Sequence, residues 1–320
     1  MLWVLLAIVG AAANAAFYII VKKYITTLDP KLMTAIGFIA GGFLLLAISA
    51  VNGLPVIGKD YWFAVAVSAV LNIIGLALIF RALSSSDLSL AMPMLSFTPA
   101  FLIGTSFILL NEAPSAFGVA GILIIVGGSY VLNIAEGHRH LLDPVRAMFR
   151  DRGSWYMLIV AFLFAASINY DKIAMQNSDP VFGMAATLLI IGGAFAGIAV
   201  FPRSTGRAGP GSDRDRCALN PEFTPSLPSA PVSATVRDET TLRPYLVPAI
   251  LIAIIVATES ISINFAYTLQ IVPYVIALKR LAIIFMVLYG TLVCREEELR
   301  TRLTGSALMV AGAVIIIVLA

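Results

Sequence analysis

Charge is what this chain has least of. Of its 320 residues, 12% are charged and 60% hydrophobic, where an ordinary soluble domain carries about 25% charged residues. That excludes a soluble globular domain, a disordered chain and a coiled coil. Histidine is nearly missing too: His138 and His140 lie together in a polar stretch. There is no His-Glu-x-x-His zinc pair, no Gly-Lys-Ser/Thr phosphate loop and no nucleophile elbow, so nothing points to an enzyme, a metal or a cofactor. With no soluble domain to hold nucleotide, an ATP-driven pump is set aside. Two cysteines, Cys217 and Cys294, are too few for a disulfide framework and match no metal spacing. The net charge of +3, with basic residues scattered through short loops, excludes a nucleic-acid-binding face. Short alternating segments are absent, which excludes an outer-membrane barrel.

What the chain has is long apolar runs. Ten can be placed: Leu2–Val21, Lys31–Val51, Tyr61–Arg81, Leu88–Leu110, Ser115–Ile134, Trp155–Ala174, Phe182–Phe201, Tyr245–Tyr267, Val272–Cys294 and Leu303–Ala320. Each can cross a hydrocarbon core of about 30 Å as a helix, and helices are required because lipid cannot satisfy open backbone groups. Trp3, Tyr61, Trp62, Trp155, Tyr156 and Tyr245 at run ends suit the membrane interface. The first run lacks a basic segment before it, so it reads as a span rather than a cleaved signal. Two connections are longer. Residues 135–154 hold His138, Arg139, His140, Arg146, Arg150 and Arg152 and read as a basic amphipathic stretch. Residues 202–244, rich in Pro, Ser, Arg and Asp, read as a disordered linker.

The chain also repeats itself. At an offset of 150, Lys22 matches Lys172, Asp29-Pro30 matches Asp179-Pro180, Ala35 matches Ala185 and Gly42 matches Gly192. At an offset of 184, Ala82 matches Ala266, Glu112 matches Glu296, Gly121 matches Gly305 and Gly128 matches Gly312. The long linker replacing the short Asn52–Asp60 loop accounts for the change in offset. The expected organisation is a five-helix repeat over 1–134, the basic connection 135–154, and a second repeat over 155–320 interrupted by 202–244. Five is odd, so the second copy enters the membrane from the opposite side. The expected fold is all-α, with ten transmembrane helices as two inverted five-helix repeats, the design of many secondary transporters.

Phe80-Arg81-Ala82-Leu83, Pro99, Glu112 and the Gly121…Gly128 pair, with Phe265-Ala266-Tyr267, Glu296 and Gly305…Gly312 in the second half, carry a resemblance to the drug/metabolite transporter superfamily, in its ten-helix EamA-type form. The resemblance implies export of amino acids, drugs or other metabolites, or import of small solutes. It also implies a proline near the middle of each fourth helix. Pro99 is there in the first half, whereas Ile283 stands at that place in the second, just after Lys279-Arg280. It implies a cytoplasmic membrane and cytoplasmic termini. Counting disagrees with the termini: loops after odd-numbered runs hold 17 Lys and Arg, the other face two. Basic loops stay inside, so the count puts both ends outside.

A charge deep in a span faces a cavity or a partner. Glu259 lies inside the eighth run, and Lys279 and Arg280 near the middle of the ninth. Equal distance from the turn at Leu269–Gln270 suggests a Glu259–Arg280 ion pair. Neighbours on a helix point about 100° apart, so one cation can pair while the other faces a cavity. The expectation is a secondary-active carrier of a small organic metabolite bearing an anionic group, with Lys279, Arg280 and Glu259 at its centre. Its partners would be that solute, the bilayer, and protons or another coupling ion, with Glu259 a candidate proton carrier. Tyr267, Asn264, Tyr274, Asn169, Asn72 and Ser96 are weaker candidates for the site. Asp171 and Lys172 read as reaching the interface, and Glu112 as solvated or capping. The rivals are efflux of cationic or apolar drugs through Glu259, and a non-transporting scaffold or lipid-handling protein.

Overall fold

The structure is a computed structural model that describes residues 1–24, 28, 30–85, 92–133, 152–200, 243–285 and 299–320. Among these there is no strand, and ten α-helices follow one another: α1 (Leu2–Tyr24), α2 (Pro30–Asn52), α3 (Tyr61–Ser85), α4 (Thr98–Leu110), α5 (Ala116–Asn133), α6 (Arg152–Gln176), α7 (Ala185–Val200), α8 (Arg243–Leu269), α9 (Val272–Lys279) and α10 (Leu299–Leu319). A 3₁₀ helix, Met92–Phe97, leads into α4. Five helices are long and apolar enough to cross a membrane: α1, α2, α3, α6 and α8. Four shorter apolar stretches fall on α4, α5, α7 and α10. The connections 135–154 and 202–244 lie outside the described residues, except that Arg152 opens α6 and Arg243 opens α8. Large apolar side chains face outward, among them Leu5, Phe43, Phe63, Phe107, Phe162, Ile250, Ile254 and Val314, all at least two-fifths exposed. Ala7, Ala11 and Ala15 of α1 are buried instead. Small residues on the inner face of α1 suit helices packing closely in lipid.

Two apolar runs break in the middle. The fourth run passes from the 3₁₀ helix to α4 at Thr98, with Pro99 in the first turn of α4. That position suits proline, whose missing N–H would be unpaired there anyway. In the ninth run α9 ends at Lys279. Leu281 then donates to the Leu278 carbonyl at 2.9 Å and Ile283 to the Arg280 carbonyl at 3.1 Å, tightening the chain into a 3₁₀-like turn. The register of the repeat puts both breaks at the same place, although the second has no proline.

Helix pairing follows the repeat as well. The four most extensively packed pairs are α5 with α10, α3 with α6, α1 with α8, and α2 with α7. Exchanging α1–α5 for α6–α10 maps this set onto itself. Glycines bring the backbones together in two of the pairs. A Cβ on Gly42 would sit 3.0 Å from the Ala185 carbonyl oxygen, and one on Gly192 3.1 Å from that of Ala35. A Cβ on Gly128 would sit 2.7 Å from the Gly305 oxygen, and one on Gly312 2.6 Å from that of Gly121. In each seam higher numbers on one helix meet lower numbers on the other, so matched helices run antiparallel.

These contacts set an expected result. Gly128→Ala forces a clash with backbone, which cannot swing aside, and destabilises by about 1–3 kcal/mol. Gly104→Ala, with nothing within 4 Å of the added carbon, should be neutral or stabilising, since Ala is favoured over Gly in a helix by about 1 kcal/mol. Melting temperatures of the two variants in detergent check this. A fall in both, or in neither, would mean that the α5–α10 seam is not backbone-tight.

Candidate functional site

The helix breaks and the crossing of α1, α3, α6, α8 and α9 leave a cavity in two adjoining parts, of about 280 and 460 Å³. Asn14, Asn72, Asp171 and Lys279 line both parts. Glu259, Asn264 and Tyr267 line the first part, and Ser96 and Arg280 the second. Tyr18 lines both parts as well, Ser260 the first, and Thr98 and Ser167 the second; the apolar wall includes Phe17, Phe38, Ile191 and Val256 in the first part and Phe164 and Ile283 in the second.

The ion pair in this cavity is not the expected one. Lys279 Nζ lies 2.5 Å from Glu259 Oε1, and the side chains are 27% and 15% exposed. Asn14 donates to the same oxygen at 3.1 Å. Lys279 closes the regular part of α9, so its direction follows from α-helical geometry. Arg280 stands on the tightened turn and points elsewhere. It lines the cavity, and among the described residues its guanidinium has no hydrogen bond or ion pair. One cation pairs and the other faces the cavity, with the two roles opposite to the expected Glu259–Arg280 pair.

Asp171, read as an interface residue, lines both parts of the cavity. Its carboxylate accepts a hydrogen bond from the Ser68 hydroxyl on α3. Ser68 also lies 3.0 Å from the Ser167 hydroxyl, and Asn72 donates to Ser167 Oγ at 2.6 Å. Asn72 is thus at the cavity but engaged with its wall. Ser96 also has a partner, 2.9 Å away in Ser129. Asn264 donates to the Pro180 carbonyl at 2.8 Å. Asn169 lies away from the cavity, where it accepts from Ser106 at 2.6 Å and donates to Thr105 at 2.9 Å, joining α6 to α4. Tyr274 is buried outside the cavity, its hydroxyl accepting from the Ser115 N–H at 2.8 Å. Among the described residues no group of three His, Cys, Asp or Glu is arranged to hold a metal.

A second ion pair sits at one end of the molecule. Asn111 ends α4 in the left-handed conformation, with φ of 56°, and turns the chain towards α9. There Glu112 pairs with Lys172 of α6, the side chains 13% and 6% exposed. Its other oxygen accepts the Val272 N–H at 2.8 Å, at the first position of α9. The residue that should cap α9, Ile271, has no side chain able to do so. Glu112 caps it from another loop and brings negative charge to the positive end of the helix. Lys172 also lies 5.9 Å from the centre of the Tyr267 ring. Tyr267 lines the central cavity on one side and, with Lys172 and Gln270, a depression of about 660 Å³ on the other. The matching residues, Lys22 and Glu296, lie outside the described side chains.

Comparison with known proteins fits this architecture. Residues 1–134 match the model of the EamA-like transporter family. No curated protein matches the chain in sequence. A solved structure, described only as the crystal structure of a protein, superposes with a TM-score of 0.70 at 16% identity, covering 98% of this chain and 95% of the other. At that identity the likeness concerns the fold alone.

Proposed function

We propose that this EamA-type integral membrane protein, its first 134 residues matching that family, is a secondary-active carrier of a small organic solute bearing an anionic group. One observation carries the substrate class. In a mostly apolar cavity, Lys279 is neutralised by Glu259 while the Arg280 guanidinium has no partner among the described residues. An unpaired charge out of water is costly, and a bound carboxylate or phosphate would offset that cost. The planar guanidinium fork suits both groups, which it can bind through two parallel hydrogen bonds.

Alternating access is the proposed cycle, and the inverted-repeat reading supports it. Matched helices run antiparallel in the α2–α7 and α5–α10 seams, and the four most extensively packed pairs exchange under the repeat. Two such halves can exchange conformations across a pseudo-twofold axis, giving two packings of similar energy, which is how inverted repeats produce two access states. In the orientation given by the Lys and Arg count, the Glu112–Lys172 end faces outward. The proposed location is a cytoplasmic membrane.

Melting of the purified protein with a panel of carboxylates, phosphate esters, zwitterionic amino acids and amphipathic cations tests the reading. A ligand held only by the folded state, at 100 times its Kd, stabilises by about 2.7 kcal/mol. The expected result is stabilisation by anions, lost in Arg280→Gln. Stabilisation by amphipathic cations alone, lost in Glu259→Gln, would replace this proposal with drug efflux.

A further inference from the structure

The cavity holds a second charge without an opposite one in contact. Asp171 forms no salt bridge among the described residues, and its one hydrogen bond comes from Ser68. The charged and titratable groups lining the cavity around it are Lys279 from α9, Arg280 from the turn after it, Glu259 and Tyr267 from α8, and Tyr18 from α1. The described lining residues of α3 and the 3₁₀ helix are uncharged. Lys279 and Glu259 cancel in contact. Arg280 and Asp171 cancel only at a distance, so the empty cavity sums to zero.

We infer that Asp171 takes up one proton for each monoanion that the cavity receives. The inference rests on the reading of Arg280 above. A monoanion on Arg280 leaves the cavity with one uncompensated negative charge inside the bundle, where an unbalanced charge is costly. A proton on Asp171 restores the balance. The step is a protonation alone: the carboxylate becomes a carboxylic acid, no bond to the solute forms or breaks, and the proton leaves with the anion. A zwitterion brings its own positive charge and needs no proton.

The wall beside Asp171 accommodates both forms. A hydroxyl donates one hydrogen bond and accepts two. Ser68 can donate to the ionised carboxylate. When Asp171 is protonated, Ser68 can accept from it and donate to Ser167, 3.0 Å away. Neither state strands a buried polar group. Glu259, the carboxylate that the sequence suggested for this role, is already engaged, by Lys279 at 2.5 Å and by the Asn14 amide at 3.1 Å.

The test measures melting and proton uptake together, on the full chain in weakly buffered detergent. Sodium lactate, sodium benzoate and the other monoanions of the panel are the probes, and alanine is the zwitterion. The expected result is uptake of about one proton per protein with any monoanion that raises the melting temperature, and none with alanine. Asp171→Asn should bind the monoanion more tightly, because the opposing charge is gone, and take up no proton. Asp171→Glu should restore uptake. In proteoliposomes, a potassium diffusion potential that is negative inside should leave wild-type monoanion entry unchanged and slow entry in Asp171→Asn. A melting shift without proton uptake, or uptake that persists in Asp171→Asn, overturns the role of Asp171 and leaves the Arg280 reading standing. If no anion of the panel raises the melting temperature, both fall.

Discussion

Glu112→Gln is expected to destabilise the folded protein by roughly 3–5 kcal/mol, the usual loss when one partner of a buried ion pair is removed. The change strands the Lys172 ammonium, 6% exposed, with only a carbonyl 3.5 Å away and the Tyr267 ring for company. It also takes the negative charge from the first turn of α9, although the new amide oxygen can still accept the Val272 N–H. Lys172→Gln should cost a similar amount, for the mirror reason. The double variant should recover most of the loss, because two neutral amides can bond to each other without a stranded charge. Melting the four proteins in detergent gives the coupling directly. Additive losses would mean that the two side chains do not act as a pair and that Glu112 matters only as a cap.

The second large effect has opposite signs at two neighbouring residues. Glu259→Gln removes a negative charge from the cavity and frees Lys279, so anion binding should strengthen. Lys279→Gln leaves Glu259 unneutralised beside the incoming anion, so binding should weaken. At an effective dielectric constant of about 20, a unit charge about 8 Å away is worth about 2 kcal/mol. That is roughly 30-fold in affinity in each direction. The ligand-induced melting shift, measured against concentration for both variants, reads it. Weakening in both would make the pair a structural clamp, and the signs would reverse for a carrier of cations.

Much of this architecture is written in the run lengths and the repeat. The offset-matched glycines lie in two helix seams, where Gly42 meets Ala185, Gly192 meets Ala35, Gly121 meets Gly312 and Gly128 meets Gly305; the offsets marked these positions as equivalent, without saying what they touch. Periodicity conveys such features because they depend on spacing along a helix. Depth alone could not choose between Lys279 and Arg280, since the choice turns on a tightened backbone at 280–284 that hydrophobicity does not encode. Asp171 was hidden because α6 runs on to Gln176, so a residue taken for a helix end lies inside the bundle. Glu112 and Lys172 carried an overlooked signal: each has a counterpart of the same charge in the other half, Glu296 and Lys22, although neither sits in an apolar core by sequence. Which loop reaches which helix is a matter of tertiary packing, and one chain's pattern does not record it.

The glycine seams have one further consequence. Each is isologous, as across the axis of a twofold dimer: Gly42 meets the Ala185 backbone and Gly192 the matching Ala35, on one continuous polypeptide. Such an interface is self-complementary. A half-length version of this sequence would carry both seams bare, and would have to borrow a second copy of itself to cover them. Fusing the halves makes that encounter intramolecular, at an effective concentration no free subunit reaches in a dilute membrane. It also lets the two halves differ, so that the place of Ser96 in one is held by Arg280 in the other. One cavity can then present a hydroxyl at one of two equivalent positions and a cation at the other, an asymmetry closed to a symmetric assembly of identical subunits.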